Sequence, residues 1–432
     1  MLGNLPLVTN PVNAMVEASR RFGEVTYFRL GPPLFSAKAV LVRHPELIKY
    51  VLLENRDNYI KGLSNDYLKG LLGHGLLTSE GETWTKQRKM VQRLFYREAL
   101  QQQVGSINRC IDRRIDRWSK FEETGDSFDM ADEMLHLTLE IAGEVLFRFD
   151  LRHESETVSD RLKFLEDDVM LRIRTPMTPP RWVPTPHNRR FYREKECLHD
   201  VVDRIIEHVR TTAEGKEGLL AAMILGRSDR SQLRDEIMTL LLASHETTAS
   251  ALTWTWYLLS ENPEFGQRMH DEAVSVLDGE NPRAEDVDRL EYAQQCFFEA
   301  MRLFPPGWSL ERRAVADDTI GGFEVKARDL VLCSAYVAHR NPAYWPDPTR
   351  FDPARFTPDK IRAMPQFTYF PFGGGVRQCV GSELAIMQAK LILARLSERW
   401  RPEMVPGHPV DTDPKITLRA KFGMAMVMKD HG

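Results

Sequence analysis

Residues Phe372 to Gly381 read FGGGVRQCVG. Three consecutive glycines, Gly373 to Gly375, carry no Cβ, so a large group can approach the backbone closely. Arg377 places a permanent cation two residues before Cys379. Beyond Gly381 the run SELAIMQAKLILARL has helical apolar spacing through Leu384, Met387, Leu391 and Ile392. Ser382 is the N-cap candidate, which sets Cys379 just ahead of a helix N-terminus. Free N–H groups and the positive end of the helix dipole favour a thiolate there. A thiolate beside an arginine in a glycine-lined pocket can be a nucleophile, a metal ligand or an inert core cysteine. These residues alone leave all three open.

The chain around this stretch has 432 residues, long enough for two or three domains, yet no Ser/Gly-rich linker, repeat or low-complexity segment marks a boundary. Hydrophobic residues at 42% suffice for a sizeable core, and a net charge of −4 gives no general case for nucleic acid or an anionic membrane. The five cysteines, Cys110, Cys197, Cys296, Cys333 and Cys379, are scattered and form no CxxC pair. That pattern argues against a disulfide framework or structural zinc and for a reducing compartment. The opening MLGNLPLVTNPVNAMVEASRR has no apolar run of signal-peptide or membrane-span length, so no stable membrane insertion is expected.

The full pattern F-x-x-G-x-R-x-C-x-G requires four spacings to hold together, and it resembles the haem-binding loop of the cytochrome P450 family. The resemblance spans nearly the whole chain and implies a mainly α, single-domain fold over 1–432 with a small β region. It implies haem b as cofactor, with Cys379 as the axial iron ligand, Phe372 packed against the sulfur and Arg377 paired with a propionate. The helix opening at Glu82 in SEGETWTKQRKM is similar to the family's W-x-x-x-R helix, making Trp84 and Arg88, at i and i+4, propionate donors. Arg312, five residues before Asp317, stands at the spacing of a further propionate-binding arginine, with Arg313 as competitor.

Arg234 to Ser260 reads as one long helix with the polar insert SHETT in an apolar centre. Buried Glu and Thr there must be satisfied or functional. The insert resembles the family's A-G-x-E-T-T motif, with Ser244 in place of the usual Gly. By that match Glu246 and Thr247 are the acid–alcohol pair that guides protons to dioxygen. Glu299 and Arg302, at i and i+3 in FFEAMRLFPP, together with Arg355 in FDPARF, resemble the family's buried charge triad. That triad is structural.

The remaining stretches are read for organisation. Val25 to Val42 gives two short strands broken by Gly31-Pro32-Pro33, and His44-Pro45-Glu46 starts a helix ending near Glu54. Asn58 to Gly81 is expected as a long loop with one short helix. Residues 101–172 give three amphipathic helices with Trp118, Leu135, Leu139 and Phe147 in the core. TPMTPPRWVPTPHNRR, with five prolines in sixteen residues, is expected as a connector without regular helix; the resemblance places Pro179, Trp182 and Val183 at a channel entrance, while plain connector is the expectation for most of the stretch. GGFEVKARDLVLCSAYVAH is hairpin-like. Ile416 to Met426 is expected as a final strand pair whose turn, Lys421 to Met424, touches substrate.

The expected activity is monooxygenation of an apolar small molecule (fatty acid, terpenoid or polyketide) by a soluble, cytoplasmic enzyme of bacterial type. It uses O2 and electrons from a separate ferredoxin or flavodoxin with its reductase. Lys86, Lys89, Arg93 and Arg97 form a helical basic stripe suited to such an acidic partner. The rivals are a peroxide-dependent peroxygenase, a non-catalytic haem sensor and a cysteine hydrolase with Cys379 as nucleophile. Glu246 and Thr247 weigh against the first two, and the lack of a patterned His base against the third.

Overall fold

The structure is a computed structural model that describes residues 10–30, 37–175, 177–226 and 229–431. Helix α1 (Pro11–Phe22) starts where the Asn10 side chain accepts the Asn13 N–H and Pro11 supplies a preset φ. Strands β1 (Val25–Leu30) and β2 (Ala37–Val42) pair antiparallel with Val25 opposite Val42, as the sequence predicts. The expected break at Gly31-Pro32-Pro33 lies outside the described residues. The helix begun at Pro45 runs to Lys49 and widens into a π turn, Tyr50–Glu54, ending where expected.

The predicted long loop from Asn58 to Gly81 is more ordered than the sequence suggests. It holds strand β3 (Tyr59–Lys61) and helix α2 (Leu63–Leu72). Three residues are too few for a period-2 pattern to register, and the partner of β3 lies some 250 residues further on. Helix α3 (Gly81–Gln92) follows, then α4 (Val104–Thr124), α5 (Met130–Phe147) and α6 (Ser155–Arg174), the last three matching the expected trio. Trp118, Leu139 and Phe147 are fully buried, whereas Leu135 is only partly so.

Helix α7 (Pro186–Thr211) begins inside the proline-rich connector, which corrects the reading of that stretch as wholly non-helical. Pro186 occupies the first helical turn, where a missing N–H costs nothing, and Thr185 caps the Asn188 N–H. Trp182, expected at a channel entrance, is 81% exposed.

Helix α8 (Arg230–Glu261) is the central element: 32 residues, or roughly 48 Å at 1.5 Å per residue. Asp229 caps the Ser231 and Gln232 N–H groups, and Asn262-Pro263 ends it. Its interior threonines return their hydroxyls to carbonyls one turn back, Thr253 to Ala249 and Thr255 to Ala251, so an otherwise apolar helix buries them without loss. It packs on α5, on α9 (Glu291–Leu303) and on α10 (Ser382–Ser397). The Thr138 hydroxyl of α5 donates to the His245 carbonyl at 2.9 Å.

The main sheet has the order β1-β2-β5-β4-β3, with β4 (Leu310–Ala314) and β5 (Leu330–Cys333), and only β2 and β5 run parallel. Strands β6 (Trp400–Met404), β7 (Thr412–Pro414), β8 (Leu418–Ala420) and β9 (Ala425–Asp430) complete the fold. β8 pairs with β7 and β9 with β6, so the expected pairing across Ile416 to Met426 is not formed. The Gly321-Gly322 turn joins Asp318–Ile320 to Phe323–Val325 as a hairpin.

Behind the cysteine loop Glu299 and Arg302 have no exposure, and Arg302 donates to both carboxylate oxygens at 2.6 and 2.8 Å. Arg355 Nε lies 3.4 Å from Glu299. Arg302 also donates to the carbonyls of His339, Pro348 and Arg350, so its charge is fully partnered. The expected triad is formed. No helix among the described residues is long and apolar enough to cross a membrane.

Candidate functional site

The cysteine loop is closed by its own backbone. Cys379 N–H donates to the Phe372 carbonyl at 2.9 Å, and Gly373 and Gly375 turn the chain at φ +71° and +66°. A Cβ on Gly375 would stand 2.3 Å from the Leu52 carbonyl oxygen, so this glycine serves the contact with the π turn. Helix α10 is capped at Gly381, not at Ser382, whose hydroxyl turns back to the Cys379 carbonyl at 3.4 Å. The sulfur of Cys379 receives the Gly381 N–H, and Arg88 also favours its thiolate, while burial pushes the thiol up. The side chain is nonetheless exposed. The sulfur is thus held by its loop yet open to a bound group.

Helix α8 shows the same signature. Ala243 is exposed, and Ser244 and Thr247 partly so, in a helix whose central turns are otherwise buried. The Thr247 hydroxyl donates to the Ala243 carbonyl at 2.9 Å. Its neighbour Thr248 accepts from Gln388 of α10 at 3.1 Å, which ties this turn to the helix that follows Cys379.

Glu246 takes the opposite side of the same turn. Only 3% exposed, it accepts from the Thr417 hydroxyl and from Arg419. Burial raises its pKa, against the pull of Thr417, His245 and Lys415. The two members of the expected acid–alcohol pair therefore point to different partners.

The predicted cations converge. Arg377 lies 4.0 Å above the Trp84 ring, pairs with Glu80 and donates to the Ser79 carbonyl at 2.9 Å. Arg88 donates to the Gln378 carbonyl at 2.7 Å, on the cysteine loop itself. Arg312 sits directly across from Lys61 in the β3–β4 pair, whereas Arg313 turns away to Asp66 at 3.2 Å. Lys61 was not singled out from the sequence. Burial, then Arg377 and Arg312, pull it down to about 7. Nothing in DNYIKG marks it, because its place depends on a strand pairing across the chain.

Like charges directly opposite in a sheet are destabilising. Lys61, Arg312 and Arg377 share Glu80 as a nearby carboxylate, Arg312 also has Glu311, and Arg88 adds a further cation beside Cys379. A group carrying two carboxylates balances that excess, and one carrying a thiolate-seeking metal suits the accessible Cys379. Haem meets both demands.

The comparisons with known proteins agree, and the chain belongs to the cytochrome P450 family, whose profile matches residues 1–426. It is 34% identical to a cyclooctatin synthase of Streptomyces melanosporofaciens, over 92% of this chain and 87% of that one. It is 33% identical to a cyclooctat-9-en-7-ol 5-monooxygenase of the same organism, over 89% and 84%. A pentalenene oxygenase of Streptomyces avermitilis matches at 28%, over 93% and 88%. The chain is accordingly a cytochrome P450 monooxygenase.

Proposed function

We propose that this monooxygenase inserts one oxygen atom into a terpenoid, according to RH + O2 + 2e− + 2H+ → ROH + H2O. The observation that carries the substrate class is the pair of relatives at 34% and 33% identity, each matched over about nine-tenths of this chain. When bound, haem b supplies the oxygen activation, and thiolate ligation favours O–O cleavage.

The chain's own residues do the rest. Cys379 is the iron ligand, its thiolate steadied by the Gly381 N–H and Arg88. Phe372 closes the loop through its carbonyl, and its ring would shield the sulfur. Trp84, Arg88, Arg312 and Arg377, with Lys61 added, hold the propionates. Glu80 orients that set by accepting the Lys61 backbone N–H at 3.0 Å and pairing with Arg377. Thr247 holds a proton at its hydroxyl on the open face of α8, and Glu246 is the acid behind it. Electrons come from a ferredoxin or flavodoxin with its reductase, docking near the exposed Lys89 and Arg93.

The test supplies purified protein, NADPH and a ferredoxin–reductase pair with pentalenene, cyclooctat-9-en-7-ol or lauric acid, and reads oxygenated product by mass spectrometry. Product from a terpenoid and none from lauric acid is expected. Product from lauric acid alone overturns the substrate class. Cys379→Ala should abolish the thiolate-type spectrum of the reduced CO complex, whereas Cys110→Ala keeps it.

A further inference from the structure

On the side of α8 away from Thr247, a polar cavity of about 480 Å³ lies between α5, α6, α8 and the β7–β8 hairpin. At its floor one guanidinium serves two buried carboxylates. Arg419 donates through Nε to Glu246 and through Nη2 to Glu166, which are 3% and 1% exposed. The second oxygen of Glu166, Oε1, is buried with no hydrogen-bond partner.

Two ionised carboxylates against one guanidinium leave a net negative charge in a desolvated place, which is costly unless a proton makes up the difference. No second cation is hydrogen-bonded to the pair: Lys415 acts on Glu246 only through space, and Lys421 at the cavity wall pairs with Asp411 at 3.3 Å. Lys415 of the hairpin is engaged by Asp167 at 2.7 Å and Asp413 at 3.3 Å. Lys163 of α6 is exposed at the rim, beside Asp132 of α5. His136 of α5 and His245 of α8 are held toward their neutral forms by burial. Arg419 stays charged at neutral pH, since burial pulls it down only to about 10.

We propose that Glu166 and Glu246 hold one proton between them across Arg419, and that Glu166 thereby sets the supply from which the acid of α8 works. The inference rests on the reading of Glu246 as a proton carrier. The transfer balances simply. A proton leaves the carboxyl of Glu246, the pair becomes doubly ionised around Arg419, and water in the cavity returns one proton from solvent. Glu166 is a positioning residue, acting through Glu246.

Infrared difference spectra of the holoenzyme at neutral pH test this. A shared proton gives one protonated-carboxyl C=O band that disappears in Glu166→Gln and equally in Glu246→Gln, because either survivor then has Arg419 to itself and ionises. Glu166→Asp should restore it. A band absent from the wild type, or one that persists in Glu166→Gln, overturns the proposal. In turnover with pentalenene, Glu166→Gln should move the alkaline fall in product per NADPH to lower pH, and an unmoved profile also overturns it. Failure of the underlying reading looks different: Glu246→Gln would keep wild-type product per NADPH while the band still vanished.

Discussion

Two buried charge networks flank the core of this protein, and their arithmetic differs. Glu299 meets Arg302 and Arg355, and Arg302 spends its remaining donors on three backbone carbonyls. Each network leaves one buried atom without a hydrogen bond, Arg355 Nε in the first and Glu166 Oε1 in the second, but around Arg419 two carboxylates meet one guanidinium and a cavity opens alongside. The first arrangement has one favourable protonation state and no room to change it. The second has two states close in energy and water access between them. Two arginines around one carboxylate mark a network that holds the fold, and two carboxylates around one arginine beside a cavity mark one that moves protons.

The same chemical change at both places is the sharpest way to break this contrast. Glu299→Gln should cost about 3–5 kcal/mol, since it strips a buried arginine of its counter-charge. Glu166→Gln should cost about 1 kcal/mol or less, because it neutralises a carboxylate that one shared proton already half neutralises. Thermal unfolding of the haem-loaded proteins measures both, and equal losses would erase the distinction.

The cations around Lys61 are a third, also unbalanced, network, and pH reads it. Lys61 is pulled down to about 7 in the folded chain. Between that value and its ordinary pKa near 10.4 the unfolded chain binds more protons, so stability of the haem-free protein rises with pH across that window. Below about 7 both forms are protonated and the penalty is present in full. Lys61→Gln should flatten the slope, worth at most a few kcal/mol, and haem loading should flatten it too. Denaturant midpoints at pH 7 and 9 measure it.

Thr247→Ala probes the open face of α8. It should leave stability within about 1 kcal/mol and haem binding intact, but divert reducing equivalents to peroxide. Unchanged product per NADPH would remove Thr247 from proton delivery. The smallest effect belongs to the surface. Lys89→Glu with Arg93→Glu should slow partner-driven turnover several-fold at low salt and spare peroxide-driven turnover, fading as screening shortens to about 8 Å at physiological salt. The structure also reshapes the basic stripe. α3 ends at Gln92, Arg93 lies in a 3-10 turn, and Arg97 starts another helix and pairs with Asp288. The continuous stripe expected from Lys86 to Arg97 is therefore two shorter pieces.

What the sequence made legible is local or periodic. The long helices follow from apolar spacing, but their starts at Asp229 and Thr185 did not, and the second lay in a stretch read as non-helical. The cysteine loop follows from four fixed spacings in ten residues. The triad of Glu299, Arg302 and Arg355 was readable only through the resemblance, because an i, i+3 pair by itself reads as an ordinary surface ion pair. What stayed hidden depends on distant pairing. Lys61 meets Arg312 only through β3 and β4, and Arg419 reaches Glu166 and Glu246 only because β8 pairs with β7 rather than with β9. Glu246 was singled out in the sequence, but its partners Thr417 and Arg419 come from the distant C-terminal hairpin.

The three-residue strand β3 bears on the life of the protein before its cofactor arrives. It is an edge strand whose last residue, Lys61, faces another cation, Arg312, so its pairing is strained until carboxylates come between them. A newly made chain short of haem should fray there first, exposing the segment between Asn58 and Glu80 to proteases.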